Sequence, residues 1–349
     1  MKVSHDELKS GITGFLRTYE ITQSEAEILA DNLICAELRG ISTHGINFLP
    51  MLVERIRKGV LEVPTRMEIL SDREAVIHID GGNGLGQPVT ALGMRKAMEK
   101  AREYGVGLGL IRNTNHIGLL AYYSMMAAEE GMVGVCMCNS AASMAPWGGA
   151  VPFFGTNPLS VAAMDSSGIP VVLDMSTSVA ARGKIRRASR LKEKIPRGWA
   201  LDAAGNPTED PGEALKGSLL PIGGPKGYGL AFFIDLICGL LSGSKYAREV
   251  STFHQPLSPT GVGVMVLAMD ISRFMPLEVF QEAMRRHVLD IQSSEKSTGT
   301  ARIYVPGEIE QEKQTRALRD GVEIDDSVMD TVKALFLERG VRPLRKFEG

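Results

Sequence analysis

The chain has 349 residues, of which 44% are hydrophobic and 23% are charged. These fractions are typical of a globular protein of about two domains, and a formal net charge of −2 gives no overall attraction for nucleic acid or an anionic membrane. We therefore expect small molecules and further copies of the chain as partners, with no nucleic acid and no membrane.

The cysteines and the amino terminus indicate a reducing compartment. The four cysteines are scattered and the first residues are charged, so we expect no signal peptide, buried thiols and a cytoplasmic protein. Cys136 and Cys138, on either side of Met137, are expected on opposite faces of a strand, and no metal site is predicted. The longest apolar run, residues 230–241, is too short to span a membrane and predicts a core helix.

Helical patterns open the chain. Ser4 with Glu7, and Thr22 with Glu25, have the spacing of capping boxes, and each pair precedes an apolar stripe at helical spacing. The second of these helices is predicted to end at Gly40.

A histidine follows these two helices. Residues 42–46 read Ser-Thr-His-Gly-Ile, and Pro50 predicts that the next helix begins late or is kinked. His44 then lies at a helix entrance, where the helix dipole favours a bound anion and disfavours imidazolium. A polar turn between two helices is the alternative interpretation.

From Glu68 the pattern changes to strands, predicted over 68–70 and 75–80. Glycine-rich residues 81–87 follow, and then a helix. Their spacing, G-G-x-G-x-G, differs from the G-x-G-x-x-G of a Rossmann fingerprint, and no acidic residue ends a second strand about twenty residues later. We interpret them as a turn that lets two backbone segments approach closely.

Residues 105–128 place a second histidine at a strand-to-helix junction. The apolar run 106–111 predicts a strand inside a sheet, the polar residues 113–115 predict a turn, and 119–128 predict a helix. His116 therefore lies where catalytic groups of α/β sheets are often found, at the carboxyl end of a strand. A surface histidine beside a helix cap is the alternative.

Two further predicted strands, 132–138 and 171–173, also end in small polar residues. The clusters that follow them are Asn139-Ser140 and Asp-Met-Ser-Thr-Ser at 174–178. Three strand ends with polar clusters predict a ligand crevice along one edge of the sheet.

Two segments carry positive charge. Residues 184–197 contain seven lysines and arginines, which we interpret mainly as a solvated helix face, with one or two side chains available to a cofactor phosphate. Lys226, in the glycine-rich residues 223–229, lies at the start of a helix, an anion-binding arrangement without Walker spacing. The residues alone thus predict an α/β enzyme with an anionic ligand. A phosphate-binding transferase and a non-catalytic metabolite-binding protein stay open as alternatives.

The carboxyl-terminal part adds a predicted strand over 262–269 and a last helix that Asp325 caps. No linker divides the chain, so a second domain is expected to combine both termini. We predict a helical domain from residues 1–75 and 296–349, and an α/β cofactor-binding domain from residues 76–295.

Eight short motifs form one ordered set along nearly the whole chain. They are Thr43-His44-Gly45, DGGNGLG at 80–86, RNTNHIG at 112–118, PWGG at 146–149, GTNPL at 155–159, LDMSTS at 173–178, GPKGYG at 224–229 and VPGE at 305–308. In order and spacing this set resembles the type II malate/L-lactate dehydrogenase family, which includes ureidoglycolate dehydrogenase, 2,3-diketogulonate reductase, sulfolactate dehydrogenase and piperideine-2-carboxylate reductase.

The resemblance implies a homodimeric oxidoreductase with a non-Rossmann α/β fold that uses NAD or NADP. The implied reaction is hydride transfer at C2 of a 2-hydroxy or 2-oxo acid; reduction of a cyclic imine, or oxidoreduction of ureidoglycolate or diketogulonate, is the alternative within the family. His116 and His44 are the catalytic candidates. We expect His116 to carry the proton and His44 to orient the substrate, an assignment in which family members differ.

The resemblance also implies the binding residues. The cofactor contacts are expected at Ser140, Asp174, Met175, Ser176, Lys226, Pro306, Gly307 and Glu308. The substrate contacts are expected at Thr43, His44, Phe48, Leu52, Asn115 and His116. Thr43 stands where the family more often has serine, which keeps the hydroxyl group.

The chain departs from the family at two of these positions. Many members carry an arginine four residues after the first histidine and a tyrosine four further on, a natural clamp for a substrate carboxylate. Phe48 and Leu52 stand there instead. We therefore expect malate and lactate to be poor substrates, and a bulkier 2-oxo acid or a cyclic imine to be favoured, unless another cation, such as one from residues 184–197, binds the carboxylate.

Overall fold

A computed structural model describes residues 1–347, and its strands form three sheets. Two sheets are small, and the third is a seven-stranded mixed sheet that carries the candidate site. The strands are β1 Lys2–Val3, β2 Glu68–Arg73, β3 Val76–Asp80, β4 Val106–Thr114, β5 Met132–Cys138, β6 Leu159–Met164, β7 Pro170–Met175, β8 Ala200–Leu201, β9 Pro207–Thr208, β10 Ser218–Leu219, β11 Val262–Asp270 and β12 Val322–Glu323.

Several helices begin at the caps that the sequence predicts. Thr22 and Glu25 form a reciprocal capping box, the Ser4 hydroxyl accepts the amide hydrogen of Glu7, and the Asp325 carboxylate caps the last helix. The helices are α1 His5–Arg17, α2 Gln23–Leu38, α3 Leu49–Arg57, α4 Gly86–Tyr104, α5 Leu120–Glu129, α6 Arg182–Leu191, α7 Pro211–Lys216, α8 Pro225–Asp235, α9 Leu277–Ser293, α10 Glu308–Asp320 and α11 Asp326–Glu338.

The large sheet has the order β2-β3-β4-β11-β5-β6-β7. Only the β3–β4 pair is parallel, and β11 runs antiparallel to both β4 and β5. As a result β4, β5 and β7 run in the same direction, and their carboxyl ends meet at one edge. The predicted edge with three polar strand ends is confirmed, and the mixed pairing differs from the parallel sheet of a Rossmann domain.

Strand glycines let two helices pack directly on this sheet. A Cβ on Gly107 of β4 would lie 1.9 Å from the carbonyl oxygen of Ala97 in α4, and a Cβ on Gly134 of β5 would lie 2.2 Å from that of Ser124 in α5. These close approaches fix the height of α4 and α5 above the strands. The loops that precede both helices are therefore fixed at the carboxyl edge.

The terminal helices form a second apolar core. Phe15 of α1 and Phe336 of α11 stack with centroids 4.8 Å apart, and β1 pairs with β12. Both termini thus contribute to one layer, and the division into two domains stays a prediction. The predicted boundary at residue 75 is wrong for β2, which pairs with β3 in the large sheet. The sequence did not assign β2 to this sheet because β2 is an exposed edge strand with polar residues.

Two expectations about apolar segments are corrected. Residues 230–241 form the end of α8 and a π-helical segment, and only one face is buried: Phe233 is 61% exposed and Leu241 is 62% exposed. Cys136 and Cys138 are both buried on the same face of β5, because residues two apart along a strand share a face. Burial raises the pKa of the Cys138 thiol to about 12.

A small sheet of order β10-β8-β9 packs with α6 and α7 around a separate apolar cluster, which the sequence did not predict. It brings the basic helix α6 close to the Thr43 turn: a Cβ on Gly183 would lie 3.1 Å from the Thr43 Cγ2 atom. Within residues 1–347 no helix is both long enough and apolar enough to cross a bilayer.

Candidate active site

Two histidines from distant parts of the chain meet at the carboxyl edge of the sheet. His116 follows β4, and His44 ends Ser42–His44, the first of two 3-10 turns between α2 and α3. Their ring centroids are 5.5 Å apart, with planes that differ by 26°. Both residues are partly exposed, so a small molecule can reach them. The structure thus brings the two catalytic candidates together.

Close backbone packing fixes His116. A Cβ on Gly86, the first residue of α4, would lie 2.5 Å from the His116 carbonyl oxygen. The Asn32 side chain of α2 exchanges two hydrogen bonds with the backbone of Leu119. Gly118, with φ of +73°, leaves room for Asn32, since a Cβ there would lie 1.9 Å from its Oδ1 atom. The glycine-rich turn therefore has its predicted role of close backbone approach.

A buried carboxylate holds the turn that carries His44. Oε1 of Glu37 accepts the amide hydrogen of Ile46 at 2.8 Å. A Cβ on Gly45 would lie 1.9 Å from the same oxygen, so the motif requires glycine. The Thr43 hydroxyl lies 3.0 Å from Nδ1 of His44. The helix α3 begins at Leu49, late as predicted, because Pro50 is tolerated only in its first turn.

Both histidines are neutral near pH 7. Burial, together with the charge of His254, lowers the pKa of His44 to about 4. Burial, together with the charges of His44 and His254, lowers the pKa of His116 to about 3. The Gly118 amide donates to Nδ1 of His116 at 3.0 Å, a bond that only an unprotonated Nδ1 can accept. The neutral His116 ring therefore carries its hydrogen on Nε2.

Aromatic side chains form the wall beside His116. The Phe48 ring lies 4.9 Å from the His116 ring and stacks on Phe253 at 4.4 Å. Leu52, the other expected substrate contact on this helix, is 1% exposed and packs in the core of the terminal helices. The carboxylate clamp is absent at both positions, and only Phe48 borders the histidines.

Asn115 is buried, and its polar atoms bond to the protein. Its Nδ2 donates to the carbonyl oxygens of Asn83 and Gly84 at 2.9 Å, and its Oδ1 accepts from Arg55 and Thr260. Asn115 therefore connects the glycine-rich turn to the chain before His116, and both its donor and its acceptor atoms are occupied. This geometry makes Asn115 a positioning residue for the chain before His116, and its contact with the substrate stays a prediction.

Arg55 is fully buried beneath the aromatic wall. Its guanidinium donates to the carbonyl oxygens of Phe253 and Ser258 and lies 5.0 Å from the centre of the Phe253 ring. The loop before β11 is held in place by these bonds. Sequence reasoning missed Asn32, Glu37 and Arg55, whose only signal is a polar residue inside a buried apolar helix pattern.

The expected cofactor residues follow the same edge toward β7. Ser140 is the second residue after the end of β5, and β5 lies two strand spacings, about 10 Å, from β4. Its amide donates to Oδ1 of the buried Asn157 at 3.1 Å. A Cβ on Gly155 would lie 2.2 Å from the Ser140 hydroxyl oxygen, so position 155 has no room for a side chain.

Strand β7 is the last of the sheet, and its outer edge offers backbone groups. The Val172 amide donates to the Pro306 carbonyl oxygen at 3.1 Å, so alternate residues, Asp174 included, direct their backbone away from β6. The Asp174 carboxylate accepts the amide hydrogen of Ala121 in α5, and burial raises its pKa to about 6. One carboxylate oxygen of Asp174, Oδ2, is therefore occupied by the protein, and its backbone faces the outer side of β7.

The other expected contacts lie on both sides of Asp174. Met175 and Ser176 continue β7 and are partly exposed. Gly307, with φ of +82°, packs against Val172, where a Cβ would lie 2.8 Å from the carbonyl oxygen. Pro306 and Glu308 line a cavity of about 530 Å³ between β7, α9 and α10.

The start of α8 completes a cradle for an anion. Gly223 and Gly224 have φ of +57° and +62°, and α8 begins directly after them with Lys226 exposed in its first turn. The amide hydrogens of Gly224, Lys226 and Gly227 bond to carbonyl oxygens within this turn, so the Lys226 ammonium is the donor that it presents to an anion. Together with the outer edge of β7, this cation fits the phosphate and ribose groups of a dinucleotide.

A model of the malate/L-lactate dehydrogenase family matches residues 3–333, and the chain belongs to this family. Its named relatives are dehydrogenases that depend on NAD(+) or NADP(+). The predicted resemblance, an oxidoreductase with a nicotinamide cofactor, is confirmed.

Three relatives illustrate the range of the family. The malate/(S)-sulfolactate dehydrogenase of Methanothermus fervidus is 37% identical over 335 residues, covering 96% of this chain and 97% of its own. The NAD(+)-dependent ureidoglycolate dehydrogenase of Escherichia coli K12 is 33% identical over 331 residues, covering 94% of both chains. The sulfolactate dehydrogenase structure from Methanocaldococcus jannaschii aligns with a TM-score of 0.92 and 35% identity, covering 98% of both chains.

Proposed function

We propose that this protein transfers a hydride between NAD or NADP and C2 of a 2-hydroxy or 2-oxo acid. The observation that carries the proposal is the His44–His116 pair, 5.5 Å apart at the same sheet edge as the dinucleotide cradle. When bound, the reduced nicotinamide supplies the hydride. The chain's residues bind the acid, exclude water with the Phe48 wall and supply a proton to the new hydroxyl group.

The tautomer of His116 supports a division of labour that reverses our expectation from the sequence. Because Nδ1 of His116 accepts from Gly118, Nε2 donates a hydrogen bond and polarises the C2 oxygen. Nδ1 of His44 faces the Thr43 hydroxyl, which can accept its hydrogen and leave a lone pair on Nε2. We assign proton transfer to His44 and carbonyl polarisation to His116.

The substrate's own charge completes this scheme. An anionic acid beside the two rings favours imidazolium, so its binding raises the low pKa values of the empty site. In the direction of reduction, His44 then enters the complex protonated and donates to the developing alkoxide. In the direction of oxidation, neutral His44 accepts the hydroxyl proton.

The cradle supports one order of cofactor contacts along the edge. Ser140 lies between the histidine pair and β7, so the nicotinamide end belongs near Ser140. The pyrophosphate belongs at Lys226 and Gly224, and the adenosine end at the backbone of residues 174–176 and at residues 306–308. A cyclic imine with a carboxylate is the second candidate substrate, favoured by the stacked wall of Phe48 and Phe253.

The exposed apolar face of residues 230–241 supports a homodimer. Phe233, Leu240 and Leu241 are each more than half exposed, and Leu230 lies nearby on the same stretch at 45%. A second copy of the chain would bury these side chains by two-fold symmetry. The four free cysteines support a reducing, cytoplasmic location.

The decisive experiment follows the absorbance of NADH and NADPH in the presence of a panel of 2-oxo acids and cyclic imino acids. We expect oxidation of one of the two cofactors with at least one 2-oxo acid. Cofactor binding without turnover of any panel member would favour a metabolite-binding protein, and the absence of cofactor binding would overturn the proposal.

A further inference from the structure

The cavity of about 530 Å³ between β7, α9 and α10 adjoins the place that we propose for the adenosine end of the cofactor. Pro306 and Glu308, two of the expected cofactor contacts, line it. Part of the lining is apolar and comes from Val171, Val288 and Val305. Apolar surface beside a few polar groups is the usual composition of a ligand pocket, and it suits the flat faces of an adenine ring.

The Glu308 carboxylate in this cavity is bonded to the protein through both oxygens. Its Oε1 atom accepts from Nε2 of Gln292 at 2.8 Å and from the guanidinium of Arg302. Its Oε2 atom accepts the amide hydrogen of Val305 at 3.0 Å. In dinucleotide sites a carboxylate that accepts from the ribose 2′-hydroxyl suits NAD, and an arginine nearby suits the 2′-phosphate of NADP. Because Arg302 neutralises Glu308, the cavity does not present a free carboxylate to the ribose.

Arg316 of α10 brings an available cation to the same cavity. Glu312, one turn before it, bonds to Arg302. Asp320, one turn after it, bonds to Nε and Nη2 of Arg319 at 2.7 and 2.9 Å. Among the residues that the structure describes, the exposed Arg316 side chain has no ion pair and no hydrogen bond. Its guanidinium is therefore open to an anion in the cavity.

A second arginine faces the cavity from α9. Nη1 of Arg285 lies 3.5 Å from Oδ2 of Asp165, a carboxylate that is only 2% exposed. The other oxygen of Asp165 accepts from the amide and the hydroxyl of Ser167 at 2.9 and 2.6 Å, so this carboxylate is itself held in place. Asp165 thus positions Arg285 through one nitrogen and leaves the rest of its guanidinium for a further acceptor.

The two arginines have similar places on their helices. The bond between Gln292 and Glu308 joins α9 to α10 at the turn where we place the adenosine. Arg285 is seven residues before Gln292 and Arg316 is eight residues after Glu308, so each lies about two helical turns from that bond. A group that extends from the ribose into the cavity therefore meets one arginine from each helix.

We propose that this cavity binds the 2′-phosphate of NADP, with Arg316 as its first partner and Arg285 as its second, and that the enzyme prefers NADP(H) to NAD(H). This inference rests on the proposed function and deepens it, because it chooses between the two cofactors. Arginine binds phosphate oxygens through paired, charge-assisted hydrogen bonds. NAD has only a hydroxyl group at this position and leaves the Arg316 charge without a partner.

The test measures the Kd of NADPH and of NADH by fluorescence titration. Wild type is expected to bind NADPH about tenfold more tightly, or better. Arg316→Met should raise the Kd of NADPH by about 10- to 100-fold, the range for lost hydrogen bonds to a charged group, and leave that of NADH within about twofold. Arg316→Lys should recover part of the loss. The matched control is Arg286→Met, an exposed neighbour on α9 that does not line the cavity and should leave both Kd values unchanged.

Two fragments isolate the phosphate from the rest of the cofactor. Adenosine 2′,5′-bisphosphate and 5′-AMP differ only in the 2′-phosphate, so calorimetry should show tighter binding of the bisphosphate to wild type and a smaller difference in Arg316→Met. Inorganic phosphate should bind more weakly than the bisphosphate, because it lacks the adenosine.

Three results would overturn the inference while the proposed function stands: a wild type without preference for NADPH, equal losses for both cofactors in Arg316→Met, or inorganic phosphate bound as tightly as the bisphosphate. If neither NADPH nor NADH binds, the proposed function itself fails.

Discussion

The amide of Gly118 determines which nitrogen of His116 can meet a substrate. It donates to Nδ1, so the ring presents Nε2–H, and His44 is left to exchange the proton. His44→Asn should therefore lower kcat by about 10²- to 10⁴-fold. His116→Asn should cost less, because its amide still donates to the C2 oxygen.

The pH profile of the two variants separates these roles. Reduction needs protonated His44, whose pKa in the free enzyme is about 4. We expect kcat/KM for reduction to fall as the pH rises from 5 to 8, and kcat/KM for oxidation to stay level. His116→Asn should keep this dependence and His44→Asn should lose it; the opposite pattern would restore His116 as the proton carrier.

Asp174, in strand β7, makes the stability of the fold depend on pH. Its folded pKa of about 6 lies above the ordinary value of 3.8 for an aspartate, so the folded state holds the proton more tightly than the unfolded state. This contribution is present below pH 4 and is lost as the pH rises through 6, by up to about 3 kcal/mol. Asp174→Asn can still accept from Ala121. The unfolding free energy of Asp174→Asn, measured with urea, should rise relative to that of wild type between pH 4 and 7. A difference between the two proteins that stays constant over this range would contradict the prediction.

At the scale of elements, the first turn of α8 tests the cofactor cradle. Lys226 is exposed at the amino end of the helix, after two left-handed glycines. Lys226→Ala should raise the Kd for the dinucleotide about tenfold or more while affecting substrate binding less. Lys216→Ala, an exposed lysine of α7 that pairs with Glu213, is the matched control. An unchanged cofactor Kd would remove Lys226 from the site.

The contact between the first residue of α4 and the chain after β4 tests how these elements hold His116. An alanine Cβ at Gly86 would meet the His116 carbonyl oxygen at 2.5 Å, which costs about 1 to 3 kcal/mol and displaces the histidine. Gly86→Ala should therefore lose stability and kcat together. Gly14→Ala in α1, where a Cβ meets nothing within 4 Å, should stabilise by about 0.5–1 kcal/mol without changing kcat. Equal behaviour of the two variants would contradict the close-approach role.

Local sequence patterns predicted the individual helices and strands well, and predicted poorly which strands pair with each other. The strand over 132–138 and the caps at Thr22 and Asp325 depend on neighbouring residues, so the sequence states them directly. The position of β11 between β4 and β5 depends on pairing across more than a hundred residues, which no local pattern encodes. For the same reason the sequence did not predict the contact between Arg186 and His254, which lies in a distant loop.

At the scale of the whole molecule, the exposed face of residues 230–241 predicts association. Sedimentation equilibrium at micromolar concentration should give a dimer. Phe233→Glu should shift it toward monomer, because it places a charge where a second copy would bury an apolar ring. Leu337→Glu, at an exposed position of α11, is the control and should stay dimeric. A monomeric wild type would refute the dimer and leave the single-chain site unaffected.

The pairing of β1 with β12 has a consequence for folding during translation. Residues 2–3 pair with residues 322–323, which are synthesised about 320 residues later. The large sheet also cannot form completely until β11 is synthesised, because β11 is the strand that joins β4 to β5. Until these partners are made, the nascent chain exposes the apolar faces of α1 and α2, and a chaperone that binds such surfaces protects it in this period.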